Sequence, residues 1–331
     1  MDMYLSAAIL GVVEGITEFL PISSTGHLII VNQFVKFQNE QFEKMFDIVI
    51  QLGAILAALI YFRDKLIPLK AISDPETRRD TFDLWFKCAI GVIPACIAGL
   101  LFGKLVEAHM MNIYVVSTAL VFGGIAIIAL ESADRKPVVC DTRQVSYKLA
   151  LLIGIAQCLA MFFPGTSRSA ATIIGAMIFG ASRMVAAEFS FFLGIPTMMA
   201  ATGYSLLKHG SKVQQHEWIA LGIGFTVSFF VAWAVIAVFI KFIQTRNFKP
   251  FGVYRIALGL GIVIVCLLTG FRPGHGKGHE QHALPAKPAE QMEQAVQAQP
   301  KQAPAHELPA PATHEQQPSP AKDAKAKDLT F

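Results

Sequence analysis

Residues 14–27 read EGITEFLPISSTGH. Two carboxylates, two serines, two threonines and a histidine thus sit together inside an otherwise apolar stretch. Glu14 and Glu18 are spaced i, i+4, so on a helix their carboxylates share one face. Ionisable groups at membrane depth are costly and mark function. Pro21 stops that helix. Ser23, Ser24 and Thr25 then supply hydroxyls, Gly26 lets the backbone turn, and His27 follows three residues after Ser24. A hydroxyl and an imidazole this close suit a nucleophile and its general base. For Ser23 and Thr25 the competing reading is a cap for a helix that begins near His27.

A second stretch, PGTSRSAATI at 164–173, has a complementary chemistry. Pro164 and Gly165 make a turn, Thr166, Ser167 and Ser169 carry hydroxyls, and Ala170 and Ala171 start a helix. A helix N-terminus offers free N–H groups and its positive dipole end to an anion. Arg168 adds a planar fork that matches phosphate oxygens, or a salt bridge to Glu14 or Glu18. One stretch therefore offers acids and a nucleophile, the other an anion clamp. Two acids beside a phosphate imply a divalent cation held by Glu14 and Glu18. A site among apolar helices implies a lipid with a phosphorylated head. Asp47, Gln51, Gln157 and Glu188 are further polar residues, weaker candidates, expected to support the two stretches by hydrogen bonds.

The chain that must position these groups has 331 residues, 53% hydrophobic and only 16% charged. A soluble domain is about 25% charged, so this is a polytopic membrane protein with no expected nucleic-acid partner. Six apolar runs fit spans of about 20 residues: roughly 45–62, 85–106, 112–131, 186–207, 217–240 and 251–270. The runs 3–35 and 148–180 are too long and too polar in their middles. Each holds a central Pro and a nearby Gly, which break helices. Broken backbone at membrane depth is tolerated only when buried in protein or lining a wet cavity. The expected fold is therefore an all-α integral membrane protein, an inverted repeat of one re-entrant helix-loop-helix hairpin plus three transmembrane helices per half. The halves cover about 1–131 and 148–271, with the polar loops of the hairpins facing each other.

Residues 272–331 are rich in Pro, Ala, Gln and Lys and cannot bury enough surface to fold, so they read as a disordered tail. The five cysteines show no metal spacing and read as small hydrophobes. Gly222 and Gly224 read as helix-packing residues, and the Phe runs 189–192 and 225–230 as core or lipid-facing. No cleaved signal segment is expected at the N-terminus. Loops 63–84, 132–148 and 241–250 concentrate Lys and Arg. The positive-inside rule places them in the cytoplasm and both termini outside.

GVVEGITEFLPISSTGHLII, VIQLGAILA, FPGTSRSAATI and SRMVAAEFSFFLGIP together resemble the undecaprenyl-diphosphate phosphatase family, also called the bacitracin-resistance family. The similarity spans about 1–270. It implies a bacterial inner-membrane enzyme that removes the terminal phosphate of the C55 polyprenyl diphosphate, for peptidoglycan synthesis and with bacitracin tolerance. It also implies Mg2+ or Ca2+ and a site opening to the periplasmic face. By motif, Glu14 and Glu18 match the paired acids, Ser24 and His27 the serine–histidine pair, and Arg168 the arginine of the second motif. Ser24 attack with His27 as base is the expected mechanism, with a His27 nucleophile or metal-bound water left open. A homodimer is also left open.

Three rivals are weighed against this reading. A polyprenyl-phosphate transporter would use the same anion clamp and repeat. A phosphatidic-acid-type phosphatase lacks its His at the needed spacing here. A scaffold would work through the tail. Truncation after residue 271 is expected to leave activity intact; loss of turnover in a folded truncated protein would make the tail the working part.

Overall fold

The computed structural model describes residues 2–35, 37, 39–67, 75–110, 112–209 and 213–269. The tail and Lys36, Lys70 and Lys212 lie outside the described residues. Among the described residues eleven α-helices follow one another: α1 Met3–Thr17, α2 Ser24–Val31, α3 Glu40–Tyr61, α4 Arg63–Leu66, α5 Pro75–His109, α6 Ile113–Ser132, α7 Tyr147–Phe162, α8 Arg168–Ile178, α9 Arg183–His209, α10 Gln215–Thr245 and α11 Lys249–Thr269. Among the described residues there is no β-strand, only a bridge between Val139 and Ala181. Short polar residues start the helices, as cap chemistry requires. Asp2 accepts from the Tyr4 and Leu5 amides, Asn39 from Gln41 and Phe42, Asn112 from Val115 and Ser146 from Leu149.

Among the described residues six helices are long and apolar enough to cross a membrane: 41–61, 75–103, 113–132, 183–207, 215–245 and 249–268. The protein is an all-α multi-pass membrane protein. The spans are those the apolar runs mark, with ends that differ. Helix α5 starts ten residues earlier than the apolar run at 85, because Pro75 suits the first helical position and Glu76, Arg78 and Arg79 are good helix formers. Arg78 and Arg79 therefore stand on its first turns. Arg63 and Lys65 belong to α4 rather than to a loop.

The two polar stretches each become a pair of short helices around a turn. Helix α1 ends at Thr17 with Glu18 as its C-cap, four residues before Pro21, so the proline does not itself end the helix. Helix α7 runs to Phe162, and Phe163 turns extended before Pro164, as the ring of a following proline demands. Helix α2 begins at Ser24 rather than near His27, because Ser23 caps it and takes the Gly26 N–H.

Glycines let the short helices approach the long ones closely. A Cβ on Gly11 of α1 would lie 2.6 Å from the Gly224 carbonyl oxygen of α10. A Cβ on Gly154 of α7 would run into the Gly91 carbonyl of α5. Gly222, expected to pack helices as well, faces open space. Phe189, Phe191 and Phe192 are core residues, joined by Phe19 from the first turn. A second cluster gathers Phe42, Phe46, Ile50 and Leu10.

Gly154→Leu is expected to cost about 1–3 kcal/mol through overpacking, whereas Gly222→Leu should stay within about 0.5 kcal/mol. Thermal unfolding in detergent reads both. Equal midpoints for the two variants would contradict the close contact of α7 with α5.

Candidate active site

Both turns are built on strained serines. Ser23 has φ 76° and Ser167 has φ 73°, the non-glycine residues with positive φ among those described. That region is unfavourable for a side chain and is held only where surroundings over-determine it. Each serine caps the helix after it, Ser23 accepting from the Gly26 amide and Ser167 from the Ala170 amide. The cap reading weighed for Ser23 therefore describes its hydroxyl. Thr25 is half-buried on the first turn of α2.

The turns meet through Glu18 and Arg168. The Arg168 Nη2 donates to Glu18 Oε1 at 2.6 Å, and the Ser24 hydroxyl donates to Glu18 Oε2 at 2.8 Å. Glu18 and Ser24 are 7% and 8% exposed, so this contact is a charge-assisted pair largely removed from water. Arg168 also donates through Nη1 to the Ser190 carbonyl of α9, while its buried Nε–H has no partner. Gly194 of α9 lies flat against the guanidinium, where a Cβ would collide with it. Ser169 donates to the Leu20 carbonyl at 3.1 Å, a second bond between the turns. Its hydroxyl also lies 3.0 Å from that of Ser167. The Thr166 amide is taken by the Phe163 carbonyl, which removes it from the anion cradle read from the sequence. Its side chain stays half-exposed beside Ser167.

His27 stands apart from Ser24. Its Nδ1 is 2.7 Å from the Ser23 carbonyl and its Nε2 is 2.7 Å from the Tyr254 hydroxyl. A carbonyl only accepts, so Nδ1 carries the proton and Nε2 presents its lone pair. The ring lies parallel to Tyr254, with centroids 5.7 Å apart. Tyr254 was not singled out from the sequence, since a tyrosine in an apolar span carries no signal of its own.

Glu14 is fully buried and neither carboxylate oxygen has a partner. Such an orphan is expensive unless something else satisfies it. Gln157, on α7, is likewise buried with both amide atoms unpartnered. Asp47 accepts from Asn32, the residue that ends α2, and so steadies the first turn. Glu188 instead pairs with Lys65 at 2.7 Å, because α9 carries it to the end of the bundle where α4 lies.

Arg255 is a second residue that sequence reasoning missed. It is 0% exposed. Its guanidinium donates to the carbonyls of Pro21, Gly165, Ala119 and Leu120. One side chain thus satisfies a carbonyl from each turn and two from α6. The nearest sequence signal is an isolated Arg in an apolar span, which is costly unless it bonds.

The profile of the bacitracin resistance protein BacA family matches residues 7–261. The chain belongs to the BacA family. Among its relatives, the undecaprenyl-diphosphatase 1 of Clostridioides difficile (strain 630) is 48% identical over 78% of this chain and 94% of its own length. The undecaprenyl-diphosphatase of Caldanaerobacter subterraneus subsp. tengcongensis is 47% identical over 78% and 95%. That of Enterococcus faecalis is 44% identical over 79% and 96%. Both turns, together with Tyr254 and Arg255, lie within the part shared with the BacA family.

Arg255→Met should leave the turn carbonyls buried without donors, at about 1–3 kcal/mol for each unsatisfied group. Arg255→Lys, which keeps a charge but not the planar fork, should recover part of that loss. Unfolding midpoints in detergent measure both, and a wild-type midpoint for Arg255→Met would contradict the role.

Proposed function

We propose that the protein hydrolyses undecaprenyl diphosphate to undecaprenyl phosphate and phosphate in the bacterial plasma membrane, recycling a lipid carrier for peptidoglycan synthesis. The reading rests on family membership and on one observation above all: Glu18 is held between Arg168 of one turn and Ser24 of the other. Acid, cation and hydroxyl thus converge where neither turn alone could supply them.

In this reading the terminal phosphate enters between the turns. The unpartnered Nε–H of Arg168 and the amides opening α8 hold its oxygens, with the Ser23, Thr25, Thr166, Ser167 and Ser169 hydroxyls around them. Glu18 orients the Ser24 hydroxyl. Ser24 attacks the terminal phosphorus, the bond to the bridging oxygen breaks, and the lipid monophosphate leaves. His27 is the base, its Nε2 turning from Tyr254 to the reacting oxygen while the Ser23 carbonyl keeps Nδ1 protonated. Water then cleaves the phosphoserine and phosphate departs. An acid-stable phosphoserine trapped in a rapid quench supports this order; an acid-labile phosphohistidine assigns attack to His27 Nε2 instead.

A divalent cation, Mg2+ or Ca2+, fits the first turn. The two orphaned oxygens of Glu14 are hard donors, one helical turn from Glu18. Glu14 and Glu18 would hold the ion, and it would neutralise charge on the phosphate oxygens.

The helix contacts support an inverted repeat with two re-entrant hairpins. Gly11 of α1 meets the Gly224 carbonyl of α10, and Gly154 of α7 meets the Gly91 carbonyl of α5. Gly124 meets the Gly252 carbonyl, and Gly259 the Ser117 carbonyl. Each pair is the other with the halves exchanged. The basic segments 63–84, 132–148 and 241–250 belong in the cytoplasm in this arrangement, and the site opens to the outer face. The same exchange symmetry is what a polyprenyl-phosphate transporter would use. Movement of the monophosphate across vesicles without hydrolysis would favour that alternative.

Purified protein should release phosphate from C55 polyprenyl diphosphate, and EDTA should abolish the release. Glu18→Gln and Arg168→Ala should each lower kcat/KM by about 100-fold or more. A folded protein without phosphate release would overturn the phosphatase reading.

A further inference from the structure

Helices α10 and α11 are joined by residues 246–248 alone, yet they diverge. α10 is committed to α1 and α3, while α11 is committed to α6. The gap between them is a groove of about 450 Å3, lined by Leu20, Val235, Val238, Phe239, Phe242 and Phe251 among others. That size falls within the range of about 300–1,000 Å3 typical of ligand pockets. Its wall is hydrocarbon and it opens sideways, with Val238 70% exposed.

Two residues of the groove wall neighbour the reaction centre. Leu20 is two residues beyond Glu18, and its carbonyl accepts from Ser169. Phe251 lies one helical turn before Tyr254 on the same face of α11, and Tyr254 bonds His27. The groove therefore borders the turns that would hold the diphosphate, within reach of the chain attached to it.

We propose that this groove binds the polyprenyl chain of the substrate next to its diphosphate and sets the preference for isoprenoid over other hydrocarbon. The proposal rests on the phosphatase reading above. Lipid tails surround a membrane protein everywhere and are as apolar as leucine, so hydrophobicity alone selects nothing. Shape can. Phe242 and Phe251 pack edge to face, and Phe251 packs in the same way on the buried Phe239, so the wall is stiff. A prenyl chain, stiffened by its double bonds, loses less conformational freedom on being held against that wall than a flexible acyl chain does.

Two measurements test this. First, Ala234→Trp and Val238→Trp fill the groove, and kcat/KM is measured for a C15 prenyl diphosphate and a straight-chain saturated C15 alkyl diphosphate in detergent. The prenyl-to-alkyl ratio should fall by about tenfold, mainly through KM for the prenyl substrate, as expected for loss of a shaped apolar subsite. An unchanged ratio would overturn the proposal. Second, should the bulky variants not fold, the wild-type protein is photolabelled with a prenyl diphosphate carrying a diazirine in its chain. Label within residues 234–251 that unlabelled C55 diphosphate displaces and phosphatidylglycerol does not supports the groove. Label elsewhere, or label displaced equally by phospholipid, overturns it. Label location is read without turnover, so a protein that hydrolyses neither diphosphate counts against the phosphatase reading separately.

Discussion

A helix broken within an apolar bundle exposes carbonyls that have no water to bond, and each costs energy unless a donor is brought to it. This constraint governs the structure. The two turns place such carbonyls at Pro21 and Gly165, and Arg255 answers both with one guanidinium, anchored on α6 through Ala119 and Leu120. Both turns are thereby tied to one side chain. The strained φ angles at Ser23 and Ser167 persist because what surrounds them is fixed. The contact of Glu18 with Arg168 is then a consequence, since the two turns have nowhere else to go.

The site's polarity follows from the same arrangement. Ser24 and Arg168 donate to opposite oxygens of one carboxylate, which leaves the hydroxyl oriented and the charge balanced. The Nε–H of Arg168 and both oxygens of Glu14 remain without partners. In the proposed reading the buried donor would face the phosphate and the buried acid a cation. Unsatisfied groups inside a folded protein call for a ligand or a functional reason, and here they flank the same ion pair.

Much of this was legible in the residues. Six spans and two interrupted stretches followed from apolar length and from Pro164, Gly165 and Pro21. The convergence of Glu18, Ser24 and Arg168 followed from complementary chemistry in two separated motifs. Helix ends were less legible, because charged residues such as those of 76–83 continue a helix as readily as they leave one. Arg255, Tyr254 and Gly194 were illegible for another reason. Their roles depend on which helix lies against which, and α11 and α9 are distant from the turns in sequence. A lone arginine or tyrosine in a greasy run does not announce its partner. The serine–histidine spacing implied a direct pair, whereas the Ser24 hydroxyl donates a hydrogen bond to Glu18 and His27 bonds Tyr254, because the helix that begins at Ser24 directs the two side chains differently.

The central claim is that two turns distant in sequence act as one catalytic unit through Glu18 and Arg168. A double-mutant cycle on phosphate release tests it most directly, comparing Glu18→Gln, Arg168→Gln and the pair. Groups that act as a unit are strongly non-additive, so the double variant should be about as slow as either single one. Losses that multiply across the two positions would contradict the account.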